Sequence, residues 1–280
     1  MSNSSSCNNC SDCPKRNSIS QGAFGVEICQ FDLNESIDTR PKQSANCLFN
    51  FVSKFKYLEE ILRDMCITPR YCEENIEYLG IAGVNKIILP MRCFCDIPLN
   101  RLTEHVKIYG KYGIAFTREW GLKNKLQPVQ YLNQNSEVTE HIVSNLRGRI
   151  DKNNYFSLKY IKPLVGKMKR KGKDKELALC FEDEKEWRYI PEMKPNDPPW
   201  YMITCPVSLN ELSNKLYDNK EKFSLKFNFN DIKYLLVENE KYSKDLIDIL
   251  TDDSLPLHVN DRYNLISKIL IFDKLEEDWG

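Results

Sequence analysis

Two glutamates one residue apart, Glu184 and Glu186, come directly before Trp187 and Arg188 in the stretch "EDEKEWRYIPE". Alternate side chains of a strand share a face, so we expect Glu184, Glu186 and Arg188 on one face and Trp187 on the other. A carboxylate on a rigid strand could stabilise a developing cation, while the second glutamate orients a sugar hydroxyl. The structural alternative is a strand in which Glu186 is ion-paired with Arg188, and the residues alone favour it.

Cysteines near the N-terminus form a second group with possible chemistry. Cys7, Cys10 and Cys13 repeat the C-x2-C spacing of metal or iron–sulfur ligands, and Cys29 or Cys47 could supply a fourth ligand. These cysteines lie in a Ser- and Asn-rich segment, and neither a second C-x2-C nor a histidine pair with ligand spacing follows. An unstructured, thiol-bearing tail is therefore favoured over a metal site.

Cys93 and Cys95 stand at strand spacing on one face, and we expect them to be core thiols because free cysteine packs as a small hydrophobe. A cysteine nucleophile would need a base, and the histidines are His105, His141 and His258. His105 is the nearest in sequence, but the spacing does not force contact. A catalytic Cys–His pair is therefore not favoured.

The charge balance excludes some function classes. Forty basic residues match forty acidic ones, so the chain has no overall field that attracts nucleic acid or an anionic membrane. The basic run from Lys167 to Lys175 could meet phosphates, but it has no interleaved aromatic residues, so nucleic-acid contact is not favoured. The sequence has no Walker loop and no G-x-G-x-x-G, which argues against kinases, P-loop NTPases and dinucleotide-binding Rossmann enzymes.

The location is predicted to be cytoplasmic, without membrane contact. There is no run of 18 or more apolar residues, and the N-terminus lacks the apolar stretch of a signal peptide. The eleven cysteines, an odd number, are expected to be free thiols.

The elements that must position these residues form an α+β pattern. We divide the chain into a flexible Cys/Ser/Asn-rich tail (1–45), an α+β core (46–205) and a C-terminal extension packed on it (206–280). "CLFNFVSKFKYLEEILRDM" predicts a strand that leads into an amphipathic helix, and "KIILPMRCFCDIPL" two short strands separated by a proline. "EVTEHIVSNLRGRI" predicts a helix with Val138 and Leu146 on its apolar face, "YMITCPV" a strand, and "DRYNLISKILIFDKLEEDW" a single final helix. A short-stranded mixed sheet with flanking helices is the expected fold.

Residues 92–132, "RCFCDIPLNRLTEHVKIYGKYGIAFTREWGLKNKLQPVQYL", resemble the signature of the AbiGi family of bacterial abortive-infection proteins. That pattern is a "CFCDIPL"-like strand, a histidine, "YGxYGI", "EWG" and "PVxY", and the later "EKEWRYI" also fits. The resemblance covers residues 47 to 205. It implies a role in anti-phage defence, as the antitoxin-like partner of a nucleotidyltransferase-like toxin in a two-gene system.

A weaker similarity is to ADP-ribosyltransferases, whose fold opens with a strand carrying His-x-Thr and has a later strand that bears glutamate. The segment from Leu48 to Val52 is similar to that opening, and Glu184-x-Glu186 to the closing glutamates. Asn50 stands where the histidine would grip the ribose of NAD, and Val52 where the threonine would follow. Asparagine can still donate a hydrogen bond but valine cannot, so a scaffold that has lost catalysis is plausible.

Three hypotheses follow from these features, of which the third, a metal-dependent nucleic-acid module built on the N-terminal cysteines, is the least favoured. The first, which the sequence favours, is a defence protein that recognises a toxin partner or a phage-derived trigger, with Glu186 and Arg188 structural. The second is an NAD-consuming transferase in which Glu186 stabilises an oxocarbenium-like state and Glu184 orients the acceptor. Its candidate NAD-binding residues are Asn50, Tyr109, Tyr112 and Arg188. Burial separates the first two hypotheses: a catalytic Glu186 should line an open cleft with Tyr109 or Tyr112, whereas a structural one should be closed off against Arg188.

Overall fold

The computed structural model of the chain describes residues 19–21, 27–29, 43–146, 150, 155–169, 176–199, 201–204, 207–255 and 257–279. The chain divides into two compact units, Met1–Arg40 and Pro41–Gly280. In the first unit, strand β1 (Ile19–Gln21) pairs antiparallel with β2 (Glu27–Cys29). Most of the remaining predicted tail lies outside the described residues.

The second unit contains the strands β3 (Cys47–Val52), β4 (Cys66–Ile67), β5 (Arg70–Asn75), β6 (Lys86–Cys95), β7 (Tyr112–Thr117), β8 (Gln127–Pro128), β9 (Gln130–Leu132), β10 (Ile161–Pro163), β11 (Val165–Lys169), β12 (Glu176–Cys180), β13 (Glu186–Tyr189), β14 (Leu225–Lys226), β15 (Ile232–Val237) and β16 (Ile269–Ile271). Its helices are α1 (Phe55–Asp64), α2 (Thr103–Tyr109), α3 (Arg118–Lys123), α4 (Glu137–Leu146), α5 (Leu209–Asp218), α6 (Lys220–Phe223), α7 (Glu240–Thr251), α8 (Val259–Ile266) and α9 (Phe272–Trp279). Each helix in the described ranges is too short or too polar to span a bilayer.

A central sheet of eight strands organises this unit. Its order is β16-β15-β7-β3-β6-β13-β8, and β5 pairs with β6 outside this path. β15 and β16 run parallel, whereas β15 with β7, β7 with β3 and β6 with β13 are antiparallel. The α+β fold with a mixed sheet is therefore confirmed. Because β15 lies beside β7, residues after 206 complete the same sheet as the core.

Helices cover both faces of this sheet. One apolar cluster joins the sheet to Leu58 of α1 and Leu246 of α7, and another joins its opposite face to Val106 of α2 and Phe272 of α9. Neighbouring residues of β7 are buried on both faces, as the continuous apolar run in "YGIAFT" indicates. The site-bearing strands are thus held in a rigid, two-sided core.

Gly110 ends α2 and turns the chain into β7. Its φ is 108°, and a Cβ built there would lie 2.4 Å from the backbone oxygen of Val52. Only glycine suits both the conformation and the close approach. This turn fixes the end of α2, which carries His105 and Tyr109.

The predicted break at Pro90 is wrong, because β6 runs without interruption from Lys86 to Cys95. β5 pairs with β6 along its first part, with Tyr71 opposite Pro90, whereas β13 begins to pair only at Arg92. Pro90 therefore lies where β6 has a continuous ladder on one side only. A proline, which cannot donate to a second ladder, is tolerated there.

Three further predictions differ from the structure. The final helix is interrupted by β16, a run of branched apolar residues that pairs in parallel with β15. The expected strand "YMITCPV" is reduced, in its described part, to one bridge between Met202 and Ile88. In α4, Val138 is exposed at 49%, while Thr139 and Leu146 are buried. In each case the structure depends on packing between residues that are distant in the sequence. Hydrophobic periodicity alone does not predict such packing.

Candidate functional site

Strand β13 lies between β6 and β8 and presents Glu186 and Arg188. In the ladder with β6, Glu186 stands opposite Cys95 and Arg188 opposite Cys93. Trp187 faces the other way and joins an apolar cluster with residues of β6 and α3. The alternation expected from the sequence is confirmed for these three residues.

Glu184 does not lie on this strand, and that part of the prediction is wrong. It ends a 3-10 turn, Phe181–Glu184, and the next residue, Lys185, has a φ of 43°. Because Lys185 has this left-handed conformation, Glu184 does not continue the alternation of side chains along β13. Glu184 and Glu186 instead share one hydrogen-bond partner. That partner is Lys162 of β10, whose Nζ donates to Glu184 Oε2 at 2.5 Å and to Glu186 Oε2 at 3.1 Å.

Arg188 is the centre of the buried charges, and its side chain has no exposed area. Its Nε donates to Glu186 Oε1 at 2.7 Å, and its Nη2 donates to Glu74 Oε2 at 2.7 Å. Its Nη1 donates to the backbone oxygen of Lys159 at 2.9 Å. Every nitrogen of this guanidinium therefore has an internal partner.

These contacts keep the groups charged despite burial. Burial alone would raise the pKa of Glu186, but Arg188 and Lys162 hold the pKa of that carboxyl below its usual range. Burial likewise opposes the charge of Arg188 and Lys162, and the neighbouring carboxylates raise the pKa of both groups well above ordinary values. The group is a satisfied ionic network, since each charge has a partner of opposite sign.

A pocket of about 360 Å³ lies beside this network, and Glu184, His105 and Tyr109 are among its lining residues. The hydroxyl of Tyr109 donates to Glu184 Oε1 at 2.5 Å, and the rings of Tyr109 and His105 have centroids 4.5 Å apart. Burial lowers the pKa of His105 to about 4, so the imidazole is neutral at physiological pH. Glu186 is not among the residues that line this pocket; Lys162 links it to Glu184, which does line it.

The residues proposed to contact NAD do not converge on this pocket. Asn50 is buried; its Nδ2 donates to the backbone oxygen of Cys93 at 2.8 Å, and its Oδ1 accepts from Arg92 at 2.7 Å. The hydroxyl of Tyr112 donates to Glu238 Oε2 at 2.8 Å in a partly buried contact. Tyr109 alone among the aromatic candidates lies next to a candidate glutamate. The arrangement therefore does not fit the shared NAD site that the transferase resemblance implies.

The thiols of Cys93 and Cys95 are not activated as nucleophiles. Burial raises the pKa of Cys93 and Cys95 well above the ordinary thiol value, and no histidine is among the neighbours that shift either pKa. No cluster of three or more metal-ligating side chains occurs in the described part of the chain. The proposed ligands Cys7, Cys10 and Cys13 lie outside it, as do residues 170–175 of the basic run.

Sequence reasoning missed Lys162 and Glu74, which complete the network. Lys162 lies in "YIKPLV" and Glu74 in "YCEEN", where each has the appearance of an ordinary surface charge. The family pattern did contain a relevant signal, because the hydroxyl of Tyr131, in "PVQY", accepts a hydrogen bond from the backbone nitrogen of Glu186 at 2.8 Å.

The sequence of this chain matches a known protein family. The sequence profile described as "Putative abortive phage resistance protein AbiGi, antitoxin" matches residues 65–238, which extends beyond the boundary at 205 expected from the sequence. The Abortive phage resistance protein AbiGi of Lactococcus lactis subsp. cremoris is 34% identical over 249 residues, covering 77% of this chain and 100% of that protein. No solved structure gives a significant match. The chain belongs to the AbiGi family of abortive phage resistance proteins, and this membership supports a role in anti-phage defence.

Proposed function

We propose that the protein acts in phage defence as an antitoxin-like component that binds a protein partner and does not itself transfer ADP-ribose. The observation that carries this proposal is the enclosure of Glu186. Both of its carboxylate oxygens accept hydrogen bonds from buried cations, Arg188 and Lys162. A carboxylate committed in this way is not available to a substrate, because opening the network would leave buried charges unpaired.

The position of Asn50 adds independent support. Its amide joins the carbonyl of Cys93 to the guanidinium of Arg92, so both ends of the side chain have internal partners. The two positions that an ADP-ribosyltransferase would need, the ribose-gripping residue and the strand carboxylate, are both committed to internal contacts. The family profile, whose description includes the word antitoxin, agrees with a role exerted through a partner.

The first experiment separates binding from catalysis. Full-length protein is incubated with NAD carrying a labelled ADP-ribose group in bacterial lysate, with and without phage extract, and NAD loss and label transfer are measured. We expect neither. The matched variant is Glu184→Gln, because Glu184 lines the pocket with Tyr109 and His105 and is the carboxylate that a transferase could use. Activity in the wild type that disappears in Glu184→Gln would replace the binding proposal with the transferase hypothesis.

The second experiment tests the partner. The nucleotidyltransferase-like toxin that the family resemblance implies is expressed in bacterial cells alone and together with this chain. We expect growth arrest when the toxin is alone, and restored growth and co-elution of the two proteins when both are present. Persistent arrest together with separate elution, in cells that contain folded chain, would contradict the proposal.

A further inference from the structure

A second cleft, of about 720 Å³, lies among α1, β5, β6 and α5. Small-molecule sites commonly have volumes of about 300–1,000 Å³, so this cleft is large enough for a ligand with several functional groups. Its lining includes Arg92, Arg70, Tyr57 and Tyr217. Neither Glu184 nor any other member of the buried ionic network lines it.

Arg92 is a half-buried cation with no carboxylate partner among the described residues. Its Nε and Nη2 donate to Asn50 Oδ1 at 3.2 Å and 2.7 Å, which leaves three of the five guanidinium N–H groups without a partner there. Because Asn50 Nδ2 donates to a backbone carbonyl, the amide is held with its oxygen toward Arg92. Because Arg92 lines the cleft, these three N–H groups are the donors that it can offer to a ligand there.

This state of Arg92 contrasts with that of Arg118, which is partly buried, and of Arg188, which is fully buried. Arg118 pairs with Asp96 at 2.7 Å, and Arg188 pairs with two glutamates. Burial without a counter-ion lowers the pKa of Arg92 to about 10. An unpaired buried cation is unfavourable, and an anion in the cleft would remove that cost.

A second guanidinium faces the same cleft. Arg70 is exposed; its Nη2 donates to the amide oxygen of Asn210 at 2.9 Å, and within the described residues it has no ion pair. Two acidic residues, Asp64 and Glu60, also line the cleft. Asp64 Oδ1 accepts from Lys220 at 2.6 Å and its Oδ2 from Tyr217 at 3.0 Å, and Glu60 Oε1 lies 3.5 Å from Lys56 Nζ. The uncompensated charges among these residues are therefore positive.

Two tyrosine rings provide the apolar part of the cleft. Tyr57 is 41% exposed and Tyr217 is 46% exposed, although aromatic rings of this size are usually well covered. The ring of Tyr217 is held in place by its hydroxyl contact to Asp64 and by the ammonium of Lys220, 5.2 Å from the ring centroid. Exposed, fixed rings offer a stacking surface for a planar base.

We propose that this cleft binds a nucleoside monophosphate, with the phosphate on Arg92 and Arg70 and the base on the tyrosine rings. A phosphate monoester carries a charge of about −1.5 to −2, which matches two guanidinium groups. Inorganic phosphate would use the arginines alone, and a nucleoside would use the rings alone. A nucleotide uses both, and it accepts bidentate hydrogen bonds from planar guanidinium donors. The inference is independent of the antitoxin-like role.

The test is calorimetric titration of the full-length protein with each of the four ribonucleoside 5′-monophosphates, with the matching nucleosides, and with inorganic phosphate. At least one nucleotide is expected to bind about tenfold or more tightly than its nucleoside and than phosphate. Arg92→Gln should weaken that binding about tenfold or more, and Arg70→Gln severalfold. The matched control is Arg101→Gln, an exposed arginine that lines the other pocket, and it should leave the affinity unchanged.

Three results would overturn the proposal: absence of saturable binding by all four nucleotides, nucleotide binding no tighter than phosphate binding, or affinity unaffected by both arginine substitutions. Circular dichroism establishes that each variant is folded. If Arg92→Gln does not fold, Arg70→Gln and Tyr217→Leu decide the matter, because both side chains are exposed. Unchanged nucleotide affinity in both of these variants would then refute the assignment.

Discussion

The substitution Glu186→Gln should lower the free energy of unfolding by about 3–5 kcal/mol, the range for removal of one partner from a buried ion pair. Glutamine keeps the size of the side chain but removes the charge that faces Arg188 Nε at 2.7 Å and Lys162 Nζ at 3.1 Å. A hydrogen bond to a charged group contributes about 1.5–3 kcal/mol, and glutamine retains one acceptor oxygen. The loss of one such hydrogen bond, together with the loss of the negative charge that neutralises Arg188 and Lys162, leads to the same decrease of about 3–5 kcal/mol in the free energy of unfolding.

Urea unfolding followed by circular dichroism measures this change. The control is Glu182→Gln, the same substitution four residues earlier, where the side chain is 52% exposed and lies 3.9 Å from Lys185. A surface pair of this kind contributes no more than about 1 kcal/mol. If Glu186→Gln costs no more than Glu182→Gln, then Glu186 is not embedded in a buried network, and the enclosure argument for a non-catalytic role fails.

A double variant tests the same reasoning from the other direction. In Glu186→Leu with Arg188→Met, both members of the central pair become apolar, while Lys162 keeps its contact with Glu184. Each single variant leaves the other member of this pair without its partner, whereas the double variant does not. The double variant should therefore be less destabilised than the sum of the two single variants, by about 0.5–3 kcal/mol. Glu74 loses its contact with Arg188 in the Arg188→Met variant and in the double variant alike. Strict additivity of the two changes would contradict direct coupling.

Three other outcomes follow from the described contacts. Because burial lowers the pKa of His105 to about 4, the unfolded chain binds a proton between pH 4 and 6.5 that the folded chain does not bind. The contribution of His105 to the free energy of unfolding should therefore be greatest above pH ~6.5 and fall by up to about 3 kcal/mol toward pH 4. Urea unfolding at several pH values measures this profile, and His105→Gln should flatten it. Gly110→Ala should destabilise by about 2–3 kcal/mol in thermal unfolding, since its Cβ would meet backbone at 2.4 Å, whereas Gly80→Ala, at φ 61° in open space, should cost about 1 kcal/mol. Peptide mapping after alkylation of the folded protein should find Cys180, which is exposed, modified and Cys93, whose pKa is raised well above the ordinary value, protected until unfolding.

The sequence predicts those parts of the fold that depend on local pattern. The strand Cys47–Val52 with its following helix, and α2 with its glycine stop, appear as expected because periodicity and a left-handed glycine determine them within a few residues. The continuity of β6 through Pro90 and the strand Ile269–Ile271 were not predicted. Both depend on which distant strand lies alongside, and a single sequence does not specify that partner.

The candidate site likewise contains contacts that the local sequence predicts and contacts that it does not. Strand alternation places Glu186 and Arg188 on one face, so the sequence predicts their pairing. Lys162 lies 24 residues before Glu186, and Glu74 lies 114 residues before Arg188, so no spacing rule connects them. The sequence wrongly predicts that Glu184 lies on the strand, whereas it lies in a 3-10 turn. The residue with left-handed conformation after it is a lysine, and lysine gives no sequence signal for a turn.

The segments that carry the family resemblance lie next to the buried ionic network. The "CFCDIPL" segment supplies the strand that pairs with β13, Tyr109 of "YGxYGI" donates to Glu184, and Tyr131 of "PVxY" accepts from the backbone of Glu186. The residues that carry the resemblance therefore surround the ionic network. Substitutions inside the network should reduce the amount of folded protein, whereas a substitution that weakens partner binding without unfolding the chain should lie on the exposed surface outside it.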